Sequence, residues 1–398
     1  MRAGPTNDNK DNERRWQMNK PTVVVLGAAG AQASGLLRGF GRSDTELKLV
    51  LCDRAWNDTP LETGSQEVHR VLFDLLAEPD KLHGLLTDAD LVVNLTGPYY
   101  TLGPIILDAA IAAGTDYLDI CDDADATELL LQRDEAAKAA GVTALVGMGS
   151  APGTTNVLVR LALDALPAGD ASASITWCVD AKDMVGAVVP HFAHSFSTAI
   201  PELGGTPSWE ALAPERVSFP DPIGEQLVVT LSHPEVLTLP RFTRVTDARN
   251  KGGLIPEDFT HLGWAVSRLP EAPERNTAMH NIFESARTLH ADREPVGSGL
   301  IVDVRVGSEG ITFLSGGQMS QEDATGTPAA AGSLIALQGG VPGPGVLSPE
   351  VLDPADFFSA LRGVSAGGGG MTAYRTRDGE IVEHVRIRDL LTVNAVAG

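Results

Sequence analysis

Between residues 21 and 153, short apolar runs alternate regularly with amphipathic stretches. Such alternation is typical of parallel β-strands, because each buried strand needs a crossover helix that returns the chain to the same edge. Strands are predicted at residues 22–26, 47–52, 68–73, 91–95, 117–120 and 144–147. Helices are predicted at residues 32–40, 80–86, 104–113 and 126–140. The alternation therefore predicts an α/β fold with a Rossmann-like, doubly wound parallel sheet.

After residue 153 the pattern changes to β-branched runs separated by turn-rich segments, which predicts a second, α+β domain with a mixed sheet. The runs lie at residues 174–179, 226–231, 300–306 and 310–314, followed by helices at 328–337 and 354–361 and a closing strand at 380–387. We assign residues 21–153, completed by a helix near residues 328–338, to the first domain. Residues 154–320 and 346–398 are assigned to a second domain that binds substrate and dimerises.

Charge and cysteine content narrow the classes of partner. Acidic residues outnumber basic ones by 52 − 30 = 22, and this negative field repels phosphate backbones and anionic lipids. Cys52, Cys121 and Cys178 are too sparse for a disulfide framework and lack the spacing of a zinc site. Residues 1–20 are polar and are predicted to form a disordered tail, and no apolar run is long enough to span a bilayer. The composition predicts a cytoplasmic protein that binds small molecules and neither nucleic acid nor membranes.

The first predicted strand runs into a turn of small residues and then a helix, with Gly27, Gly30 and Ala33 in G-x-x-G-x-x-A spacing. Small residues let the backbone approach a pyrophosphate, whose charge is met by free N–H groups at the helix N-terminus. The predicted contacts with a dinucleotide are Gly27, Ala29, Gly30, Ala31 and Gln32. Packing alone would also explain such a turn, and Ala29 and Gln32 replace glycines of the commoner G-x-G-x-x-G form.

Two charged residues follow the second strand. Asp53 stands at the expected distance after the turn for a carboxylate that accepts hydrogen bonds from the ribose of NAD. Arg54 would instead hold the extra phosphate of NADP, so NAD is favoured only slightly. Asp74, after the third strand, is placed near the adenine, with a helix cap as the alternative. A strand-end turn is the alternative role for Asp53.

Several segments agree with one known family. They are residues 92–100 (VVNLTGPYY), 109–120 (AAIAAGTDYLDI), 149–156 (GSAPGTTN), 194–197 (HSFS), 325–330 (TGTPAA) and 345–350 (GVLSPE). Together they resemble saccharopine dehydrogenase-like proteins from about residue 21 to the C-terminus. The Ala151-Pro152-Gly153 junction and residues 194–197 are most similar to the lysine 6-dehydrogenase branch, whereas residues 201–240 depart from it.

The resemblance implies an activity and an assembly. In this family the first domain binds NAD or NADP, and the second supplies substrate contacts and often a dimer interface. The reaction interconverts an amine and an imine at an amino-acid-like carbon. The resemblance therefore implies a homodimeric NAD(P)-dependent oxidoreductase acting on a CH–NH bond of an amino acid or polyamine-like amine, with lysine 6-oxidation as the most specific form.

The edge of the sheet at which parallel strands end is where ligands bind in open α/β folds. Thr96, Gly97 and Pro98 follow the fourth strand and are predicted to approach the cofactor, with Tyr99 as a substrate contact or a packing residue. Asp119 and Asp122 follow the fifth strand, where a carboxylate would hold a substrate ammonium or take its proton. Asp119 is the first choice as the catalytic base. Asp123 and Asp125 are more simply explained as caps of the next helix.

The second domain offers a titratable group and substrate contacts. His194 is the predicted general acid or base, with His191 as its competitor. Arg241 or Lys182 would clamp a substrate carboxylate, unless either forms a surface salt bridge. Asn156, in the matched segment 149–156, is an expected substrate contact.

Two other functions remain open at this stage. One is reduction of a C=C or C=O bond on the same fold, and the other is a non-catalytic, dinucleotide-binding regulatory protein. The chain has no Ser-His-Asp order, zinc signature or Walker-type loop, so hydrolase, metal and nucleotide-triphosphatase chemistry are not predicted.

Overall fold

A computed structural model describes residues 20–58, 60–183, 188–197, 213–270, 272–367 and 370–393. The predicted tail at residues 1–20, except Lys20, lies outside the described residues, as does part of the divergent segment 201–240. Within the described ranges, no helix is long and apolar enough to cross a membrane.

The first sheet has seven strands, all parallel, which confirms the predicted α/β class. They are β1 (Thr22–Leu26), β2 (Lys48–Asp53), β3 (Glu67–Leu72), β4 (Leu91–Asn94), β5 (Asp116–Asp119), β6 (Thr143–Leu145) and β13 (Gly345–Leu347). Their spatial order is β13-β6-β5-β4-β1-β2-β3. The order reverses direction at β1, so the carboxyl ends of β1 and β4 border the crevice where such sheets bind ligands.

Helices lie between these strands along the chain or follow the last of them. They are α1 (Ala31–Arg42), α2 (Pro79–Leu86), α3 (Tyr99–Ala113), α4 (Ala124–Leu131), α5 (Asp134–Ala140), α11 (Gln321–Leu337) and α12 (Pro354–Val364). The single helix predicted at residues 126–140 is in fact two helices, α4 and α5. Strand β13 was not predicted, and it places the start of the segment 346–398, assigned above to the second domain, in the first sheet. The domain limits themselves stay predictions.

The second sheet is mixed and has eight strands. They are β7 (Ala171–Asp180), β8 (Glu215–Phe219), β9 (Gly224–Thr230), β10 (Val245–Ile255), β11 (Ser298–Val306), β12 (Glu309–Gly317), β14 (Met371–Arg377) and β15 (Glu380–Val385). Strands β7 and β10 are parallel, and the other pairs are antiparallel. The remaining helices are α6 (Thr154–Ala165), α7 (Val188–Ser197), α8 (Glu235–Phe242), α9 (Asp258–Ser267), α10 (Pro273–Leu289) and α13 (Ile387–Val393).

Each sheet has its own hydrophobic core. The first core contains β1 and β4 residues such as Val24 and Val92, which are fully buried between helix layers. The second contains Val302, Phe313 and Phe283, packed between the mixed sheet and helices. Residues that follow β5 and β6 of the parallel sheet and residues of the mixed sheet line one cavity, and the candidate site lies there.

Candidate functional site

The turn after β1 is built for a close backbone approach. Gly27 has φ +79°, and a Cβ there would lie 2.8 Å from the carbonyl oxygen of Leu95. The amides of Gly27 and Ala28 both donate to the carbonyl of Cys52, at 3.0 and 3.1 Å. Gly30 caps α1 without a side-chain hydrogen bond, so no side chain competes for the helix N-terminus. This compact, side-chain-free turn fits the pyrophosphate of a dinucleotide.

Asp53 lies beside this turn. Its Oδ2 accepts a hydrogen bond from the Ala29 amide at 2.9 Å, and its Oδ1 accepts from the Ala55 amide at 3.2 Å. The carboxylate is therefore fixed where β2 meets the glycine turn, and Arg54 beside it is exposed. Asp74 accepts from the amides of Leu76 and Ala77, which holds a local turn, and Glu78 rather than Asp74 is the N-cap residue of α2.

Asp119 is at the centre of a buried hydrogen-bond network. Its Oδ2 accepts from the Tyr117 hydroxyl at 2.7 Å, and its Oδ1 accepts from the amides of Cys121 and Gly147 at 3.0 and 2.7 Å. Burial raises the pKa of Asp119 to about 6, even though these three donors oppose the shift. With no exposed surface and both oxygens bonded, Asp119 ties the end of β5 to the end of β6. A direct role as base, our first choice from the sequence, is not supported by this geometry.

Tyr99 is also turned inward. Its ring is 8% exposed and its hydroxyl donates to the Asn94 carbonyl at 3.4 Å. Burial, helped by the charge of Asp119, raises the pKa of Tyr99 well above its usual value. The geometry favours the packing alternative for Tyr99. Thr96 is half-buried, with its amide bonded to Asn94, and Gly97 and Pro98 are exposed at the strand end.

A cavity of about 940 Å³ is lined by residues from this edge of the parallel sheet and by residues of the mixed sheet. The first domain and α6 contribute Asp122, Ser150 and Thr154, while the second sheet and its neighbours contribute Trp177, His191 and His233. The cavity therefore brings together a carboxylate and two imidazoles that are far apart in sequence. Concave sites with a few converging polar groups are the usual places for small-molecule binding.

His191 lies between two carboxylates. Its Nε2 is 2.9 Å from Asp122 Oδ2, and its Nδ1 is 3.1 Å from Asp123 Oδ1. Burial lowers the pKa of His191, but the charges of the two carboxylates outweigh it and raise the pKa well above its usual value. Burial raises the pKa of Asp122, but His191 and then His233 outweigh it, so that pKa is lowered. The two carboxylates therefore favour the protonated form of His191.

His194, predicted from the sequence as the acid or base, takes a different position. Its Nε2 lies 3.1 Å from Asp125 Oδ2, and its ring stacks on Tyr100 with centroids 4.4 Å apart. His194 is not among the residues that line the cavity, whereas its competitor His191 is. Asp123 occupies the N-cap position of α4 but makes no capping hydrogen bond, because its side chain turns towards His191.

The predicted substrate contacts of the second domain lie elsewhere. Asn156 is fully buried, accepts from the Gly153 amide and donates to Glu350, so it joins α6 to the segment after β13. Arg241 pairs with Asp134 at 3.3 Å outside the cavity lining, which is the surface salt bridge named as the alternative. Lys182 donates to the carbonyl of Arg293. None of these three side chains reaches the cavity.

His233 was missed by the sequence analysis. It lines the cavity, is 3% exposed, and its Nδ1 is hydrogen-bonded to the buried carboxylate of Glu235. The only local signal was the His-x-Glu spacing after the apolar run at residues 226–231. A lone histidine beside a carboxylate is common, so this signal was too weak to stand out.

Asp122, Asp123 and His191 also offer ligand atoms within 4.8 Å of one another. A metal ion would need one ring nitrogen of His191 to be deprotonated and free. Both nitrogens instead face carboxylate oxygens at ion-pair distance. The geometry supports a charged pair better than a metal site.

The parallel sheet, the glycine turn after β1 and the carboxylate at the end of β2 define a nicotinamide dinucleotide-binding fold of the oxidoreductase type. Residues 23–145 match the family model of the saccharopine dehydrogenase NADP binding domain. The predicted family is thus confirmed for the first domain. A search of curated proteins found no match.

Solved structures of several oxidoreductases are similar over most of their length. An engineered D-amino acid dehydrogenase bound to NADP+ is 12% identical, with 88% of this chain and 97% of that chain covered and a TM-score of 0.41. Dipicolinate-bound dihydrodipicolinate reductase from Paenisporosarcina sp. TG-14 is 11% identical, with 84% and 99% covered and a TM-score of 0.38. GenD2 from gentamicin A biosynthesis, in complex with NAD, is 14% identical, with 88% and 93% covered and a TM-score of 0.39. At these values the likeness bears on neither substrate nor activity.

Proposed function

We propose that this protein is an NAD(P)-dependent oxidoreductase that acts on the CH–NH bond of an amino acid or polyamine-like amine, with lysine 6-oxidation as its most specific form. The observation that carries the proposal is the position of His191 between Asp122 and Asp123, in a cavity at the carboxyl edge of the dinucleotide-binding sheet. Proton-handling groups at that edge are what amine oxidation or imine reduction requires.

The charge of this cluster favours a cationic nitrogen as the reacting group. Two carboxylates and one imidazolium sum to −2 + 1 = −1, and they lie in a largely buried site where charges are weakly screened. An ammonium or iminium ion is attracted to such a site, whereas a neutral ketone or alkene gains nothing from it. The negative charge of the cluster supports amine or imine chemistry over C=C or C=O reduction.

The roles of individual residues follow from their positions. Asp122 holds the substrate nitrogen, and His191, placed between both carboxylates, orients Asp122. Asp119 keeps the strand ends at their spacing. The turn at Gly27–Ala31 holds the pyrophosphate and Asp53 the ribose, with NAD slightly preferred and Arg54 available to a 2′-phosphate. When bound, the dinucleotide supplies the hydride acceptor or donor.

Two coarser proposals accompany this one. The second sheet and its helices form the substrate-binding and dimerisation domain, and the protein works as a cytoplasmic homodimer. Both rest on the family of the first domain and on the two separate cores.

The test is spectrophotometric. In the direction of oxidation, the purified protein is mixed with NAD+ or NADP+ and a panel of diamines and amino acids. In the direction of reduction, it is mixed with a reduced cofactor and pairs of an oxo acid and an amine. Absorbance at 340 nm is followed in both assays. We expect turnover, and we expect Asp122→Asn to lower kcat/KM at least about 100-fold, because charge and proton handling at the nitrogen are lost.

The matched control is His384→Gln, an exposed substitution on β15, which should leave kcat/KM unchanged. An absence of turnover with every amine would refute the proposal. Turnover of a ketone or enone without added amine would favour the alternative reductase.

A further inference from the structure

Amine oxidation needs a proton acceptor that the groups above do not supply. A protonated amine has no lone pair to drive departure of hydride, so the nitrogen must first lose a proton. His191 lies between two carboxylates that favour its protonated form, so it is a poor proton acceptor. Asp122 is a weak base, because His191 lowers its pKa despite its burial. Another group must therefore take the proton.

His233 lies where such a group is needed. It follows β9, precedes α8, and lines the same cavity as Asp122 and His191. Its ring centroid is 6.2 Å from that of Trp177, another residue of the cavity wall.

Glu235 fixes the ring of His233. Its fully buried carboxylate accepts hydrogen bonds from the Thr155 hydroxyl at 3.0 Å and from the Asn250 amide at 3.4 Å, besides His233 Nδ1. The Asn250 side chain is held in turn by Trp177, whose Nε1 donates to Asn250 Oδ1 at 2.9 Å. Because Glu235 accepts from Nδ1, the neutral ring carries its proton on Nδ1 and its lone pair on Nε2.

We propose that Nε2 of His233 accepts the proton of the substrate ammonium, and that Glu235 is the positioning residue that fixes this tautomer. The N–H bond breaks, its electron pair stays on nitrogen, and the proton passes to Nε2. The adjacent C–H bond then breaks, hydride goes to the oxidised nicotinamide, and the nitrogen pair forms the C=N bond. This inference rests on the proposed function and names its base.

The kinetic test compares His233→Gln, Glu235→Gln and the exposed control His384→Gln by pH profiles of kcat/KM. We expect His233→Gln to lower kcat/KM at least about 100-fold and to abolish the acidic limb of the profile. We expect Glu235→Gln, which leaves the imidazole in place, to lower it about 10- to 100-fold. Added imidazole should restore activity to His233→Ala but not to Asp122→Asn. Equal melting temperatures by circular dichroism would exclude unfolding as the cause.

A second test needs neither cofactor nor turnover. In protein labelled with 15N-histidine, the resonances absent from His233→Gln belong to His233, and their shifts identify the protonated nitrogen. We expect protonated Nδ1 and unprotonated Nε2 in the neutral ring, and a loss of this preference in Glu235→Leu, which removes the acceptor. An unprotonated Nδ1 in the native protein would overturn the inference.

Failure of this inference and failure of the proposed function give different results. If the native protein turns over amines but His233→Gln keeps its pH profile, the inference is wrong and the proposed function stands. If no amine is turned over, the proposed function fails, and the inference fails with it.

Discussion

At the scale of single residues, the carboxyl of Asp119 has the most distinctive electrostatics. Its folded pKa is about 6, against 3.8 for an exposed aspartate. Between these values the unfolded chain loses its proton first, so folding takes up a proton and the stability contributed by Asp119 falls as pH rises from about 4 to about 6. At about 1.4 kcal/mol per pKa unit the loss is roughly 3 kcal/mol.

Asp119→Asn removes this titration. The NH₂ group of the new amide side chain would face either the Tyr117 hydroxyl or the Gly147 amide, both of which donate to the native carboxylate. A buried donor left without an acceptor costs about 1–3 kcal/mol. We expect destabilisation at pH 7 that becomes larger by roughly 3 kcal/mol at pH 4. Urea unfolding of both proteins at the two pH values measures this, with the exposed Asp44→Asn as control. A difference that stays constant with pH would contradict it.

The sequence could locate the site but not choose between its side chains. Asp119 and Asp122 follow a predicted strand, so their place at the sheet edge could be predicted from order alone. Which of His191 and His194 faces the cavity depends on where Asp122, Asp123 and Asp125 lie on another element. His233 depends on Glu235, Thr155 and Asn250, which only the fold brings together.

At the scale of elements, the close contact between α1 and α11 depends on Gly35 in α1 and Gly326 in α11. A Cβ on Gly326 would lie 2.3 Å from the Leu36 amide nitrogen and 2.6 Å from the Gly35 carbonyl carbon. These are backbone atoms, so Gly326→Ala must push α1 away. We expect a loss of about 1–3 kcal/mol in urea unfolding and weaker dinucleotide binding, because the N-terminus of α1 moves.

The matched control for this prediction is Gly84→Ala in α2. A Cβ at Gly84 meets nothing within 4 Å, so the substitution should stabilise the protein by up to about 1 kcal/mol through helix propensity. If the Gly326→Ala variant is as stable as the native chain, this contact does not hold α1 in place.

Regular elements with a strong local pattern were predicted, and elements that depend on distant partners were not. Strand β1 matches its prediction residue for residue. Strand β13 has three residues in a glycine-rich segment, and it exists because it pairs with β6 some 200 residues earlier. Helices α3 and α11 begin before Pro104 and Pro328, where the sequence placed their starts, because tertiary packing tolerates a proline inside each helix.

At the scale of the whole molecule, the net charge of −22 is a source of self-repulsion. Raising NaCl from 0.01 to 0.1 M shortens the screening length from about 30 to about 10 Å, which weakens repulsion across the molecule more than the contacts of adjacent ion pairs. We therefore expect the thermal midpoint to rise over this range. A triple variant with lysine in place of the exposed Asp44, Asp88 and Asp292 has a net charge of −22 + 6 = −16 and should show a smaller rise. A midpoint that falls with salt in the native protein would mean that local pairs such as Arg216–Glu257 outweigh the overall field.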